Sequence, residues 1–343
     1  MRAQLTPLRL AGTLVGLVVA AAIVLYLVPS NDYLFLPDAA HPVAPLVDVK
    51  GGKDPGGPGG IYFVDVFERR ASMFESLFPW IHDGATLVPA KLVVPPGVSD
   101  NAVRQADLRE MSISQRVAAA VALKRLGYKV VARPSGVIVA ALDSRSHAVG
   151  KLRPSDLIVS VNGASTKTIA ELRAQLAKVK PGDTVELGVS RGIATNQGKN
   201  FVVTVKTMAD TANEKRAIVG FAPEQAAEIH LPLKVSIDAG NVGGPSAGLA
   251  FALEVMEELG RDVDHGYKVA ATGEINLDGT VSAIGGVKQK TYGVRKSGAD
   301  VFLVPVDGDN AKEARRYAGD LRIIPVTSFP QALRALATLP PKG

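Results

Sequence analysis

The sequence contains no cysteine, which excludes disulfides, thiolate metal sites and a cysteine nucleophile without assigning a compartment. Histidine is scarce, five in 343 residues and dispersed, and no H-E-x-x-H occurs, so a zinc hydrolase lacks its ligand set. No G-x-x-x-x-G-K-[ST] occurs either, leaving no phosphate-binding loop through which ATP could act directly. Aromatics make up 5% of the chain, with a single tryptophan, and the basic residues behind the +6 charge are scattered without aromatics between them. A nucleic-acid partner is therefore not expected. What the chain does have is apolar residue, 47% of it, enough to build about two or three packed units.

The longest apolar run stands at the N-terminus. Leu10 to Val28, "LAGTLVGLVVAAAIVLYLV", carries no charge. As a helix at ~1.5 Å per residue it nearly spans a ~30 Å hydrocarbon core. Arg2 and Arg9 precede it and Asp32 and Asp38 follow, which predicts a cytoplasmic N-terminus and everything after residue 29 on the far side of a cell membrane. A cleaved signal peptide is the competing reading. The run is long for a signal h-region, and "LYLVPSND" offers no small-x-small cleavage site, so a retained single-pass anchor over 1–29 is expected, with the lipid bilayer as a partner.

Beyond the anchor, short apolar strands alternate with periodic helices. "PLVDV" and "IYFVDVF" flank the glycine-proline run at 50–60 and read as a hairpin. Ser112 and Gln115 form a capping-box pattern before "RVAAAVALKRLG", with Gly127 as the stop; this ends a first segment, 30–127. The next stretch holds "GVIVAALDSRSHAVGKLRPSDLIVSVNG", a helical pattern "TIAELRAQLAKV", the turn "KPGD" and two strands. That order, and Asp156, Ile158, Val161, Asn162 and Gly163 in "DLIVSVNG", resemble a bacterial PDZ domain over 128–207, with Ser155 where the family usually has glycine. The resemblance implies a peptide-accepting loop and strand edge at Ser135, Gly136, Val137, Ile138 and Val139. A packing domain without a ligand is the alternative.

The remaining segment, 208–340, carries the chemistry. In "GGPSAG", Ser246 stands between a glycine-rich loop and the apolar helix pattern "LAFALEVMEELG". A serine there is either an N-cap or a nucleophile beside helix N–H groups that can hold an oxyanion. The letters also fit the G-x-S-x-G elbow, but the one histidine downstream, His265, follows the same helix too closely for that fold. A serine without histidine can use a lysine kept neutral by burial. In "AIGGVKQKTYGVRKSG", Val287, Lys290, Thr291 and Val294 share one helical stripe, whereas Lys288 and Lys296 do not; Lys290 is thus either a buried base or a lysine that snorkels to the rim.

"GGPSAG", "TGEINLDGTVSAIGGVKQK" and "GADVFLVP" together resemble the proteolytic domain of Lon proteases. The resemblance implies Ser246 as nucleophile, Lys290 as base and Thr272 as the residue orienting the lysine amine, with backbone around Gly244 and Pro245 lining the oxyanion site. Gly243 stands where some Lon proteases place an acid. Anchor, PDZ and Lon-type segments together resemble the membrane-anchored, PDZ-containing Lon-like proteases of bacteria. This implies an α+β fold in which the PDZ domain is inserted into a protease domain begun by 30–127. It further implies a homo-oligomeric ring, six-membered by analogy, no cofactor, and unfolded or peptide-like substrates. A non-catalytic PDZ adaptor and a Ser-Lys esterase or amidase are the alternatives.

Overall fold

The structure, a computed structural model, describes residues 7–53, 56–94, 98–192, 199–340 and 342, with side chains described from residue 11 onward. An apolar helix, Pro7–Leu27, leads straight into the strand Pro29–Pro42. Among the described residues no helix is long and apolar enough to cross a membrane.

One mixed six-stranded sheet organises most of the chain. Pro29–Pro42 pairs antiparallel with Thr86–Pro89 on one side and Gly60–Ser72 on the other; Lys268–Ala271, Val301–Pro305 and Arg322–Val326 then continue the sheet in parallel. The parallel strands alternate apolar residues to both faces, as strands covered on both sides must. Val269, Ala271, Val301 and Leu303 face a core shared with the helices Asp100–Arg125 and Gly248–Glu258. Ala270, Phe302 and Val304 face the opposite layer, where Val287, Val294 and Ala311 come from the helices Val287–Lys296 and Asn310–Tyr317. The fold class is thus mixed α/β. The helix Gly248–Glu258 is buried on every side and not only along one stripe. Its Glu257 is retained inside because its carboxylate accepts the N–H groups of Val263 and Asp264 at 2.6 and 2.8 Å.

Two local expectations fail. The glycine-proline run does not join a hairpin: Val47–Val49 pairs with Val235–Ile237, while Gly60–Ser72 belongs to the large sheet. Residues 54–55 of that run lie outside the described residues. Ser112 and Gln115 lie inside a helix that starts a dozen residues earlier, capped by Ser99, whose side chain accepts the Ala102 N–H. The stronger signal there is apolar burial along the whole helix, from Ala106 to Leu123, which overrides an internal capping pattern.

A second sheet hangs between Arg125 and Val235. Its strands run Phe221–His230, Val131–Leu142, Leu157–Val161, Thr184–Arg191 and Lys199–Lys206 in spatial order, packed on the helix Ile169–Leu176 with its Thr168–Glu171 capping box. Ser155 takes φ of 69°, a left-handed conformation that glycine adopts without strain. The turn therefore keeps its shape although the residue differs. Asp156 next to it is buried and receives Arg191 through two bonds, at 2.6 and 2.7 Å. The sheet also extends past residue 207, because Phe221–His230 forms its edge. His230 lies opposite Val131, so the segment leaves beside the point where it entered.

Candidate functional site

The turn before Ser246 is shaped by the helix Asp100–Arg125. Gly244 has φ of 81° and donates its N–H to the Asp107 carbonyl at 2.8 Å. Ser114 Oγ donates to the Pro245 carbonyl at 2.9 Å. A Cβ at residue 243 would come within 2.7 Å of the Asp107 Cβ, so glycine there is a consequence of close packing. The space an acid at 243 would need is taken by Asp107 of the neighbouring helix.

Ser246 does not cap the helix that follows. That helix begins at Gly248, its N-cap is Ala247, and no side chain closes it. The serine is instead held by its own carbonyl, which accepts the Gly273 N–H at 2.8 Å and the Thr272 hydroxyl at 3.1 Å. Its Oγ is left pointing at Lys290, whose Nζ lies 2.6 Å away; the same Nζ is 3.3 Å from Thr272 Oγ1. Thr272 thus touches both partners, and its N–H is fixed to Leu303 in the large sheet at 3.0 Å.

Lys290 arrives on the helix Val287–Lys296, which opens after Gly286 in the left-handed region. Val287, Lys290, Thr291 and Val294 are all buried, so the stripe faces the core and the lysine does not snorkel: its exposure is 3%. Burial brings its pKa down to about 8, against an upward pull from Asp65 and Glu68. Lys288, two residues away, turns outward and donates to the Ala85 carbonyl at 2.8 Å. The geometry thus places the Ser246 hydroxyl and the Lys290 amine in one cleft of about 860 Å³, flanked by Phe67, Glu68, Asp107 and Val242, with Thr272 buried behind the pair.

Asp65, Glu68 and Asp107 are the residues that sequence reasoning missed. Asp65 and Glu68 lie in "FVDVFE", which reads as an ordinary strand, and nothing in that stretch indicates that the strand borders the serine. Burial raises the pKa of all three; beside it, Asp38 raises Asp65, while Asp107 raises Glu68 and Lys290 lowers it. Asp38, His41 and Asp65 bring possible metal ligand atoms within 4.8 Å of one another, with His41 Nε2 3.3 Å from Asp38 and 3.9 Å from Asp65. The His41–Asp38 contact is a hydrogen bond, whereas Asp65 Oδ1 is buried without a hydrogen-bond partner.

The expected peptide edge at Ser135, Gly136, Val137, Ile138 and Val139 is not free. Val137 lies between Gln225 on one side and Ile158 on the other, and Ile138 between Glu224 and Leu157. The Gln225 amide also donates to the Gly136 carbonyl at 3.0 Å. The edge strands of this sheet are Phe221–His230 and Lys199–Lys206, and Phe221–His230 is packed against the helix Ile169–Leu176. Proline does not mark that edge, because Pro223 lies at a register shift and the central strand Val131–Leu142 carries Pro134 as well. A second cavity, about 760 Å³, separates this sheet from the helix Asp100–Arg125 and reaches Pro245 without including Ser246 or Lys290.

Residues 199–338 match the family model for the Lon protease C-terminal proteolytic domain, and residues 124–207 match that for the PDZ domain. Among curated relatives, Lon protease 1 of Sorangium cellulosum is 36% identical over 124 residues, 33% of this chain and 15% of that protein. Lon protease of Chloroflexus aggregans is 30% identical over 149 residues, 42% and 18%. Lon protease 2 of Bacillus subtilis is 27% identical over 188 residues, 54% and 30%. The matched region thus spans a third or less of each of these relatives. A solved PDZ domain of the SdrC-like protein from Listeria innocua is 28% identical, with TM-score 0.23, covering 26% of this chain and 93% of that one. The C-terminal part of the chain is similar to the proteolytic domain of Lon proteases, which supports a serine peptidase, and the middle is similar to a PDZ domain.

Proposed function

We propose that the chain is a membrane-anchored serine endopeptidase that cleaves unfolded or peptide-like proteins with a Ser246–Lys290 dyad and without ATP. The observation that carries the reading is the 2.6 Å contact between Ser246 Oγ and the Nζ of a lysine only 3% exposed. In its neutral form Lys290 takes the Ser246 proton as Oγ attacks the peptide carbonyl carbon. The resulting ammonium gives that proton to the leaving amine, and the same lysine then activates the water that releases the acyl-enzyme. Thr272 keeps the amine aimed at the serine. The oxyanion site is narrower than the sequence implied. The Gly244 N–H is committed to Asp107 and Pro245 has none, so within 244–246 only the Ser246 N–H remains for it.

The uncharged run Leu10 to Val28 supports the anchor, since 19 residues at ~1.5 Å each nearly span a ~30 Å core. No phosphate-binding loop occurs in this sequence, which supports hydrolysis that needs no nucleotide. Recruitment by the PDZ unit uses the edge strand Phe221–His230, to which a substrate segment adds as a further strand. Assembly into a ring shields the dyad from folded proteins. The test is to incubate the purified full chain in detergent with an unfolded protein and no nucleotide. Fragments that vanish in Ser246→Ala support the reading; intact substrate refutes it, and release of an ester alone points to an esterase.

A further inference from the structure

Four of the large apolar side chains that the fold leaves in water lie within nine residues of one another: Met73, Leu77, Trp80 and Ile81. They sit on the short helix Met73–Leu77 and the turn Pro79–Ile81. Trp80 is 73% exposed and Leu77 53%, well beyond what packing requires. An isolated exposed leucine is unremarkable, but a contiguous apolar patch with an aromatic at its tip marks a contact surface.

The patch is held in place. Glu75, fully buried beneath it, accepts the Ser72 N–H and hydroxyl, two bonds from Arg69, and one from His82 Nε2 at 2.8 Å. These partners, Arg69 first, hold its carboxyl well below the usual carboxylate range. Ser72 and His82 bracket the apolar segment, so one carboxylate ties down both its ends. Phe74, Phe78 and Trp80 contact one another in series, tilted at 49° and then edge-to-face at 87°, with ring centroids 4.9 and 5.3 Å apart. A buried ionic knot under an exposed aromatic means that the side chains stay in water by construction.

The position of the patch identifies its partner. The Met73 N–H donates to the Val28 carbonyl at 2.8 Å, and Met73–Leu77 packs against the end of the apolar helix. Tyr26, an exposed aromatic, stands in that helix's last turn. Tryptophan and tyrosine concentrate where hydrocarbon meets water, because their rings are apolar and their tips polar. We infer that Leu77, Trp80 and Ile81 form a bilayer-docking surface that enters the interfacial layer beside the anchor and fixes how the protease unit stands on the membrane. The inference rests on the anchor reading of Pro7–Leu27.

The sole tryptophan makes the test direct. The full chain is reconstituted into phosphatidylcholine vesicles carrying bromines either near the carbonyl end or near the tail end of the acyl chains. Docking predicts flotation with the vesicles, blue-shifted Trp80 emission, strong quenching by the shallow bromines and weaker quenching by the deep ones. A Leu77→Asp, Ile81→Asp double variant should float equally, lose most of that quenching and cleave a short peptide at the unaltered rate. Flotation with Trp80 open to aqueous iodide and untouched by bromines overturns the inference and leaves the anchor standing. Trp80 shielded from both quenchers also overturns it, in favour of a contact with a second copy. Failure to float overturns docking and anchor together.

Discussion

Raising the pH should switch the proposed dyad on, with a profile set by Lys290. With a pKa of about 8, about one lysine in ten is neutral at pH 7 and about nine in ten at pH 9, so kcat/KM for a short peptide should climb about tenfold over that interval and then level. A lysine at its ordinary value of 10.5 would be neutral in about one molecule in three thousand at pH 7, so the site as a whole, burial less the pull of Asp65 and Glu68, supplies about a 300-fold gain in active form. Asp65 and Glu68 both pull the lysine upward. Removing either charge, as in Asp65→Asn or Glu68→Gln, should therefore move the limb to lower pH and raise the relative rate at pH 7. The same burial acts against stability. Between about 8 and 10.5 the unfolded chain binds more protons than the folded one, so stability rises with pH through that window and the whole penalty is present below it. Lys290→Met should thus abolish cleavage while raising stability at pH 7 by up to about 3 kcal/mol, less what Ser246 and Thr272 lose in contacts. Peptide cleavage against pH and denaturant melts of the same samples measure both effects. A flat pH profile from 6 to 9 in folded protein, or a limb that moves upward in Glu68→Gln, refutes the dyad as drawn.

Lys290→Arg should eliminate cleavage, since guanidinium retains its proton at any working pH, whereas Lys288→Arg should stay within a few-fold of the parent because that side chain reaches Ala85 and not the serine; both are read with the same peptide. Gly244→Ala forces a side chain into φ of 81° beside Ser246 and should cost about 1 kcal/mol of stability with a larger loss in kcat, measured by melting and by turnover. Because His230 lies opposite Val131, replacing 131–230 by a short glycine-serine linker should preserve short-peptide cleavage and slow only the digestion of long unfolded chains. Cutting at 128–207 instead strands Phe221–His230 without a partner and should yield aggregated protein, visible by size-exclusion chromatography.

The features legible in the sequence were those fixed by local chemistry. The stripe Val287, Lys290, Thr291 and Val294 announces its buried face by spacing alone, and the structure buries all four. "DLIVSVNG" likewise specifies its turn, with Asn162 and Gly163 both at positive φ. The features that were not legible depend on partners remote in the chain. Val47–Val49 looks like half of a hairpin until Val235–Ile237, nearly two hundred residues later, takes the other side. The PDZ resemblance implies a free strand edge at Ser135 to Val139, yet that strand is paired on its far side by Phe221–His230, whose own sequence alternates weakly.

The carboxylates around the serine illustrate the same limit at the level of chemistry. Asp65, Glu68 and Asp107 are each unexceptional in sequence, and each matters only because the sheet and the helix Asp100–Arg125 bring it to the cleft that holds Lys290. Their placement opposes the effect of burial: desolvation lowers the lysine's pKa, while Asp65 and Glu68 raise it. A lysine buried with no acid nearby would be a weaker proton acceptor at neutral pH, and one paired tightly with an acid would never become neutral. A pKa near 8 is the compromise between those extremes, so the acids that the sequence concealed determine how much of the visible Ser246–Lys290 pair is active at a given pH. The position of the acidic limb is therefore set first by the burial of residue 290 and then adjusted upward by residues 65 and 68.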